Sequence, residues 1–593
     1  MTKKRQHLAA LFIIAIAGLG LVTFSGSIFS GYHFMDCHYY TEVKEQMTNY
    51  SFSDILIDML KNDTGIRFRP MWKVSDIFEI AMWGDNMFLH GLWQIVVNIC
   101  AAYLIYLLGR NMAWSHKESL LFAGLSLIGT QSAIFYQTEV IEPLGLVFLI
   151  LSWLSLQNYI KTTAILRKTH YALFVGFSIL MALCRENFIL VLPASYVFYC
   201  MLYSEKHSDS SLIGIISKTW KTALFLFLLT VVCLISTLIF AGAGGTGYAG
   251  VSAHTGLAQY FKTTIYLFVI SGCSLLSLPC MIWLLKKRGT TVKNRLYSVL
   301  LLAFITIPQI LLYAKSNIID RYLIPSVIGC AYFAIFVYRE IQQNEHTVKR
   351  RRWKNLSLLL GILIVIACGI IIYSENIRQW AVDFAVQLQG NAVRNMTAES
   401  SKQYLLSTIF TMNIAVLLLG IGFCVWGCIK RKEDNIKISQ LYLNGLVLVF
   451  LLNCGLAYAS CQRYAMRGFA TEGFLNAIIA NSSPNDTILV VGKPMVEGEG
   501  VAAGLPVYLK KYNRTNLWIF PITKPDSDIN VSLGLLQAYQ FKSLETISNR
   551  QNIQIIAVFS GLENDFIKEN TWFNPVFYRR YKFKGGYVVY AKK

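Results

Sequence analysis

Apolar runs of about 20 residues, the length that carries an α-helix across a hydrocarbon core, recur through most of this 593-residue chain. Nothing else in the sequence constrains its fold as strongly. Inside a bilayer every backbone N–H and C=O must find a partner within the chain, so only helices or a closed barrel can span it. Runs this long and this continuously apolar select helices. After a first run within residues 1–30, they fall near 89–109, 118–136, 140–158, 169–184, 188–203, 222–242, 263–285, 296–314, 322–338, 355–374, 405–429 and 440–459, about thirteen helices in all. The first begins like a secretory signal, MTKKRQHLAALFIIAIAGLG, but its apolar part is too long and no small-x-small cleavage site follows, so it reads as a retained helix.

The chain carries a net charge of +21. In a soluble protein that excess would point to nucleic acid; in a polytopic one the placement of Lys and Arg sets the topology. With TKKR cytoplasmic, every inside loop is basic, from Arg110 and Lys117 through Lys286, Lys287 and Arg288 to Lys430, Arg431 and Lys432. An odd number of helices then puts residues 460–593 outside. The expected organisation is a multi-spanning domain over 1–459 with a long outer loop at 31–88, followed by an extracytoplasmic α/β domain over 460–593. That tail reads as a helix near 468–481, the strand TILVV at 487–491, a helical stretch near 498–511, strands at 516–520 and 553–559, and a hairpin of FYRRYKF and YVVYA. Its GEGVAAG is a poor dinucleotide loop, which leaves acceptor binding or docking as the expected role. The 13 cysteines show no metal-ligand spacing and lie mostly in apolar runs, where Cys behaves as a small hydrophobe.

Charge within apolar surroundings is costly, so its position is informative. Here it gathers at the outer face. GYHFMDCHYY places Asp36, His33 and His38 where the first helix ends. TGIRFRPMW adds Arg67 and Arg69, followed by an amphipathic stretch expected to lie on the membrane with Trp72, Phe78 and Trp83 toward lipid. QTEVIEP brings Glu139 and Glu142, ALCREN brings Arg185 and Glu186 at a tight outer turn, and IIDRYLIP brings Asp320 and Arg321. Each has an ordinary reading as an interfacial belt, a headgroup contact or an ion pair marking a turn. Together they form a ring around Asp36 if the helices pack about one centre.

Several stretches, in order, resemble the GT-C class of integral-membrane glycosyltransferases, which use polyprenyl-phosphate sugars: the Asp36 region, GIRFRPMW, LHGLWQIVVNICAAYLIYLLGR, ALCRENFILVLP, and DRYLIPSVIG, the last similar to the O-mannosyltransferase-like branch. The likeness spans roughly residues 1–340. It implies a hexosyl or pentosyl transferase that moves a sugar, with inversion, from a polyprenyl-phosphate donor to a cell-envelope acceptor outside the plasma membrane of a bacterium. The acceptor would be a polysaccharide, teichoic acid, lipid or glycoprotein. Such a reaction needs a base at the acceptor hydroxyl and positive charge at the departing phosphate. The resemblance makes Asp36 the base, and Arg67, Arg69, Arg185 and Arg321 the candidates for the phosphate. It leaves His33, His38, Glu139, Glu142, Glu186 and Asp320 to orient substrates. Many members carry DD or DE after the first helix, whereas Cys37 follows Asp36 here, so the paired acid that would bridge a divalent metal is missing. No cofactor is called for, and a divalent metal stays an open alternative. A lipid-linked glycan flippase or transporter would instead need a polar path through the membrane, and only isolated Asn98, Asn413 and Asn453 interrupt the spans. A plain anchor for the tail needs neither so many spans nor a one-sided ring of charge.

Overall fold

A computed structural model describes residues 3–34, 37–62, 68–138, 140–162, 164–207, 212–241, 257–285, 292–313, 320–343, 435–492, 504–521, 553–559, 562–583 and 586–593, with short pieces at 347–349, 542–543, within 361–379 and at 421. The protein is a polytopic α-helical membrane protein with a small C-terminal sheet unit. Among the described residues, eight helices are long and apolar enough to cross a bilayer. The expected spans at 405–429 and, in large part, 355–374 lie outside these residues.

The helices are α1 (Lys3–Phe24), α2 (Cys37–Gln46), α3 (Phe52–Asn62), α4 (Pro70–Trp83), α5 (Met87–Asn111), α6 (His116–Leu127), α7 (Glu142–Lys161), α8 (Ala164–Ala182), α9 (Glu186–Ile189), α10 (Leu192–Lys206), α11 (Leu212–Ala241), α12 (Leu257–Ser271), α13 (Cys273–Leu285), α14 (Val292–Tyr313), α15 (Ile324–Gln343) and α16 (Ile438–Ala480). Local chemistry explains several boundaries. Asn86 caps α5 by accepting from Leu89 N, and Ser115 and Glu118 form a reciprocal capping box at α6. Pro70 opens α4, and Gly84, at φ +60°, closes it.

Two expected spans take a different form. The run at 118–136 is helical only to Leu127 and then gives way to a 3₁₀ segment, Thr130–Phe135, whose start is capped by Ser132 Oγ accepting from Gly129 N. The run at 263–285 is divided into α12 and α13 at Gly272, whose φ of +58° no ordinary helix contains.

One buried apolar cluster joins α5, α6, α7, α10, α14 and α15. Near the start of α14 and the end of α15, Arg295 and Glu340 form a buried pair at 2.7 Å. The last helix, α16, is 43 residues long, about 64 Å at ~1.5 Å per residue, roughly twice the hydrocarbon thickness. The expected span at 440–459 and the expected tail helix at 468–481 are therefore parts of one continuous rod.

Beyond α16 the chain adds α17 (Leu505–Lys510), α18 (Glu563–Glu569) and strands β3 (Thr487–Gly492), β4 (Leu517–Pro521), β5 (Lys542–Ser543), β6 (Ile553–Val558), β7 (Tyr578–Lys582) and β8 (Val588–Lys592); β1 (Thr347–Lys349) and β2 (Asn435–Lys437) pair separately. The main sheet runs β5-β4-β3-β6-β8-β7. β3, β4, β5 and β6 are parallel, and β8 and β7 close the edge as an antiparallel hairpin. Strand β3 from Ile488 to Val491 and strand β6 from Ile555 to Val558 are apolar and buried at every position, as expected where both sheet faces are covered.

Leaving one member of a buried ion pair alone costs about 3–5 kcal/mol. Arg295→Met is therefore expected to lower the melting temperature of the purified protein clearly, and adding Glu340→Leu to recover most of the loss.

Candidate active site

Residues 136–138 and Glu142, just before and at the start of α7, are the hub on which several of the sequence-predicted groups meet. Tyr136 lies 5.1 Å, ring to ring, from Tyr464 of α16, and the Tyr464 ring stacks on His33 at 3.8 Å. Gln137 accepts a hydrogen bond from Arg321. Thr138 Oγ1 is 3.9 Å from the Cys37 thiol. Glu142, completely buried at the first turn of α7, receives the guanidinium of Arg185. Arg185 is itself buried, lies 3.9 Å from the Glu186 carboxylate, and places its guanidinium carbon 3.7 Å from the centre of the Tyr322 ring. Arg321 approaches the same ring at 5.5 Å. Glu142 thus sits in the field of Arg185, Arg321 and Arg69 together. A planar cation over an aromatic face, with a carboxylate in its plane, is a geometry that Arg provides and Lys does not.

Arg69 precedes α4, is buried, and stacks its guanidinium 3.9 Å from the Trp72 ring. The entry of α4 is tied to the α8 end by Met71 N donating to Leu183 O. The expectation for this helix is met only in part: Phe78 is exposed, but Trp72 is held between Arg69 and Lys73 rather than turned to lipid. The polar face of α4 points inward. Lys73, Asp76 and Glu79 are buried against Tyr39 of α2 and His90 of α5. His90 stacks on Tyr40 at 3.9 Å and shares a hydrogen bond with Gly84 O at 2.9 Å. A cavity of about 260 Å³, lined mainly by apolar atoms of Trp72, Phe78, Trp93, Val97 and Leu144 with Asp76 and Glu79 at its wall, opens between α4, α5 and α7.

His33 meets Ser30 Oγ at 2.9 Å. Ser30 gives its own proton to Ser27 O, so His33 Nε2–H is the donor and Nδ1 carries the lone pair. Burial first, and the nearby Arg467 charge second, lower the His33 pKa from 6.5 to about 3. Burial also depresses His38, partly offset by a hydrogen bond to the Phe34 carbonyl. Both rings are neutral at physiological pH, so positive charge at this site comes from arginine.

Asp36, Arg67 and Glu139 lie outside the described residues, as does the side chain of Asp320, whose backbone opens the 3₁₀ turn Asp320–Leu323. The structure brings together Arg185, Glu142, Glu186 and Arg321, with His33 joined to them through Tyr464, Tyr136 and Gln137, and His38 following Cys37 in α2. Gln137, Tyr322, Tyr464, Arg467 and Lys73 were not singled out from the sequence. Tyr322 stood inside DRY and Gln137 inside QTEVIEP, but an uncharged residue in a loop carries no local signal of what it will face. Among the described residues no three His, Cys, Asp or Glu side chains converge as ligands for a metal.

No protein-family model matches the chain, and no curated protein matches it in sequence. Solved structures do match its fold. ArnT from Cupriavidus metallidurans bound to undecaprenyl phosphate superposes with a TM-score of 0.52 at 11% identity, over 99% of this chain and 97% of that one. The apo form of the same protein gives 0.51 at 11% identity, with the same coverage. The chain has the GT-C fold. The match takes in the sheet unit as well as the helices, since almost the whole length of both chains is covered.

Because His33 binds a proton in the unfolded chain below about pH 6.5 but in the folded chain only near pH 3, its contribution is complete above 6.5 and falls as the pH drops through that window. Acidification from about pH 7 to about pH 5 is expected to lower the melting temperature more in the native protein than in His33→Gln; equal slopes would remove His33 from this role.

Proposed function

We propose that this protein is a glycosyltransferase of the plasma membrane that moves a sugar from a polyprenyl-phosphate donor to an acceptor on the extracytoplasmic side, with inversion at the anomeric carbon. The observation that carries the reading is the gathering of Arg185, Arg321, Glu142 and Arg69 at the outer end of a fold shared with a protein solved with undecaprenyl phosphate. In this reading the N-terminus is cytoplasmic, residues 460–593 are outside, and the acceptor is a cell-envelope polysaccharide, teichoic acid, lipid or glycoprotein.

The chemistry assigned to the site is a single displacement. The acceptor oxygen forms a bond to the anomeric carbon as the bond from that carbon to the phosphate oxygen breaks, and polyprenyl phosphate leaves. Asp36 takes the acceptor proton, because a carboxylate is a competent base only where the hydroxyl is brought into contact with it. Negative charge grows on the departing phosphate, and fixed guanidinium groups stabilise it without reorganising. Arg185 already has its counter-charge in Glu142, and its task is to hold Tyr322 and the wall of the site. Arg69 and Arg321 are the residues we assign to the phosphate, with Arg67 beside them in the chain. The cavity beneath α4 offers apolar walls to the first isoprene units. Neutral His33 and His38 serve as hydrogen-bonding groups for the acceptor, and Glu186, Glu139 and Asp320 as partners for sugar hydroxyls.

Asp36→Asn is expected to leave a folded, inserted protein whose transfer rate falls by about 10²–10⁴-fold, the range for removing a general base. Full activity in that variant would remove Asp36 from the reaction. Arg69→Gln and Arg321→Gln are expected to raise the KM for donor more than for acceptor, and the reverse order would contradict phosphate binding.

A further inference from the structure

Helices α8 and α11 touch along one seam. The Tyr171 and Thr222 hydroxyl oxygens lie 3.3 Å apart, and the rings of Phe174 and Phe225 lie 6.4 Å apart. Each pair is separated by 51 positions in the chain, so the two helices run parallel and in register. On each helix these contacts belong to the i, i+4, i+7 stripe of one face. One turn before the first contact, that stripe carries Arg167 on α8 and Lys218 on α11, both exposed. Two cations therefore stand level with each other where the seam begins.

Lys168 and Lys221 flank them, and neither helix contains an acidic residue. Among the described residues no carboxylate pairs with any of the four cations. Arg167 is held in place rather than free in solvent: it donates to the Tyr159 hydroxyl at 3.2 Å, with its guanidinium carbon 4.6 Å from the centre of that ring. The Tyr159 ring in turn packs 5.3 Å from Tyr171. One of the five guanidinium N–H groups is occupied in this way, and four remain to meet an anion.

The place of the cluster says which anion. α8 has 19 residues, about 28 Å at ~1.5 Å per residue, close to the hydrocarbon thickness. The buried pair of Arg185 and Glu142 lies just past its other end, so the cluster stands at the opposite boundary from the candidate active site. Trp220, 51% exposed, lies at this level of α11, as indoles do in the headgroup region. Farther along, Leu173 of α8 and Leu224, Phe227 and Leu228 of α11 are exposed. An anion that joins Arg167 to Lys218 thus has apolar helix faces directly beside it, and the ligand that fits carries its own hydrocarbon. Basic groups between membrane helices take phospholipid headgroups in this way.

We infer that the start of the α8–α11 seam is a binding site for a diacyl phospholipid with an anionic headgroup, its phosphate between Arg167 and Lys218 and its chains along the exposed faces of the two helices. The inference stands on the packing of these helices and is independent of the reaction proposed above. In the topology proposed there, this is the cytoplasmic leaflet.

The test titrates the full-length protein in detergent with phosphatidylglycerol or phosphatidylcholine and reads the first bound lipid by native mass spectrometry. Phosphatidylglycerol is expected to bind at least tenfold more tightly. Each Lys or Arg at the headgroup changes lipid affinity about fivefold, so Arg167→Gln with Lys218→Gln is expected to weaken phosphatidylglycerol about 30-fold. The charge-keeping pair Arg167→Lys with Lys218→Arg is expected to stay within about threefold of the native protein. Arg5→Gln with Lys117→Gln, two exposed cations elsewhere in the chain, is expected to stay within about twofold. Equal weakening in either comparison pair overturns the site, and so does equal binding of phosphatidylcholine. Competition by glycerol phosphate as strong as by the whole lipid overturns the lipid assignment in favour of a soluble phosphate. Displacement of phosphatidylglycerol by polyprenyl phosphate at equal mole fraction overturns it in favour of the carrier lipid.

Discussion

Charge cannot rest in hydrocarbon, and the rest of the structure is arranged around how that rule is met at one end of the helix bundle. Arg185 and Glu142 are both buried there, a placement that would cost several kcal/mol for either alone. Each is the other's counter-charge, and Tyr322 covers the guanidinium face. Meeting this demand draws α7, the α8–α9 turn and the 3₁₀ turn before α15 to one point. Once they meet, Gln137 and Arg321 are fixed beside them, and a polar floor exists at the end of an apolar bundle.

The second organising element is α16. A helix long enough to cross the membrane and continue beyond it by about as much again provides one rigid edge against which both units are built. Its extension carries Tyr464 and Arg467 beside His33 and Glu472 beside Gly31, where a Cβ would sit 1.7 Å from the carboxylate. Gly31 adopts φ +70°, so both the turn and the space require glycine. Gly468 likewise lets the helix touch the loop, since a Cβ there would lie 2.1 Å from Ser30 O. The loop that follows α1 is thus confined by the membrane bundle, the protruding helix and the sheet at once.

Much of this was legible in the sequence because two signals are local. Apolar run length marks helices long enough to span, and a charge inside an apolar sequence stands out, so Arg185, Glu142 and Arg321 are visible in the sequence, and the structure packs Arg185 against Glu142 and Tyr322 with Arg321 beside that ring. What was not legible depends on long-range packing. KVSDIFEIAMW has the composition of a helix lying on lipid, yet its charged face turns inward, where Tyr39 meets Lys73 and His90 meets Glu79 from other helices. Tyr32 and Phe34 look like an interfacial belt, and only the fold shows that they belong to a core assembled from residues more than 400 positions away.

The central claim is that this outer site consumes a polyprenyl-phosphate sugar. Its most direct test is to incubate the purified native protein in nanodiscs with a panel of polyprenyl-phosphate sugars and to follow the release of free polyprenyl phosphate. The account predicts time-dependent release from at least one donor, accelerated by an extracytoplasmic acceptor. Intact donors throughout, with lipid-linked sugar moved from one leaflet to the other in sealed vesicles, would contradict it and identify a transporter.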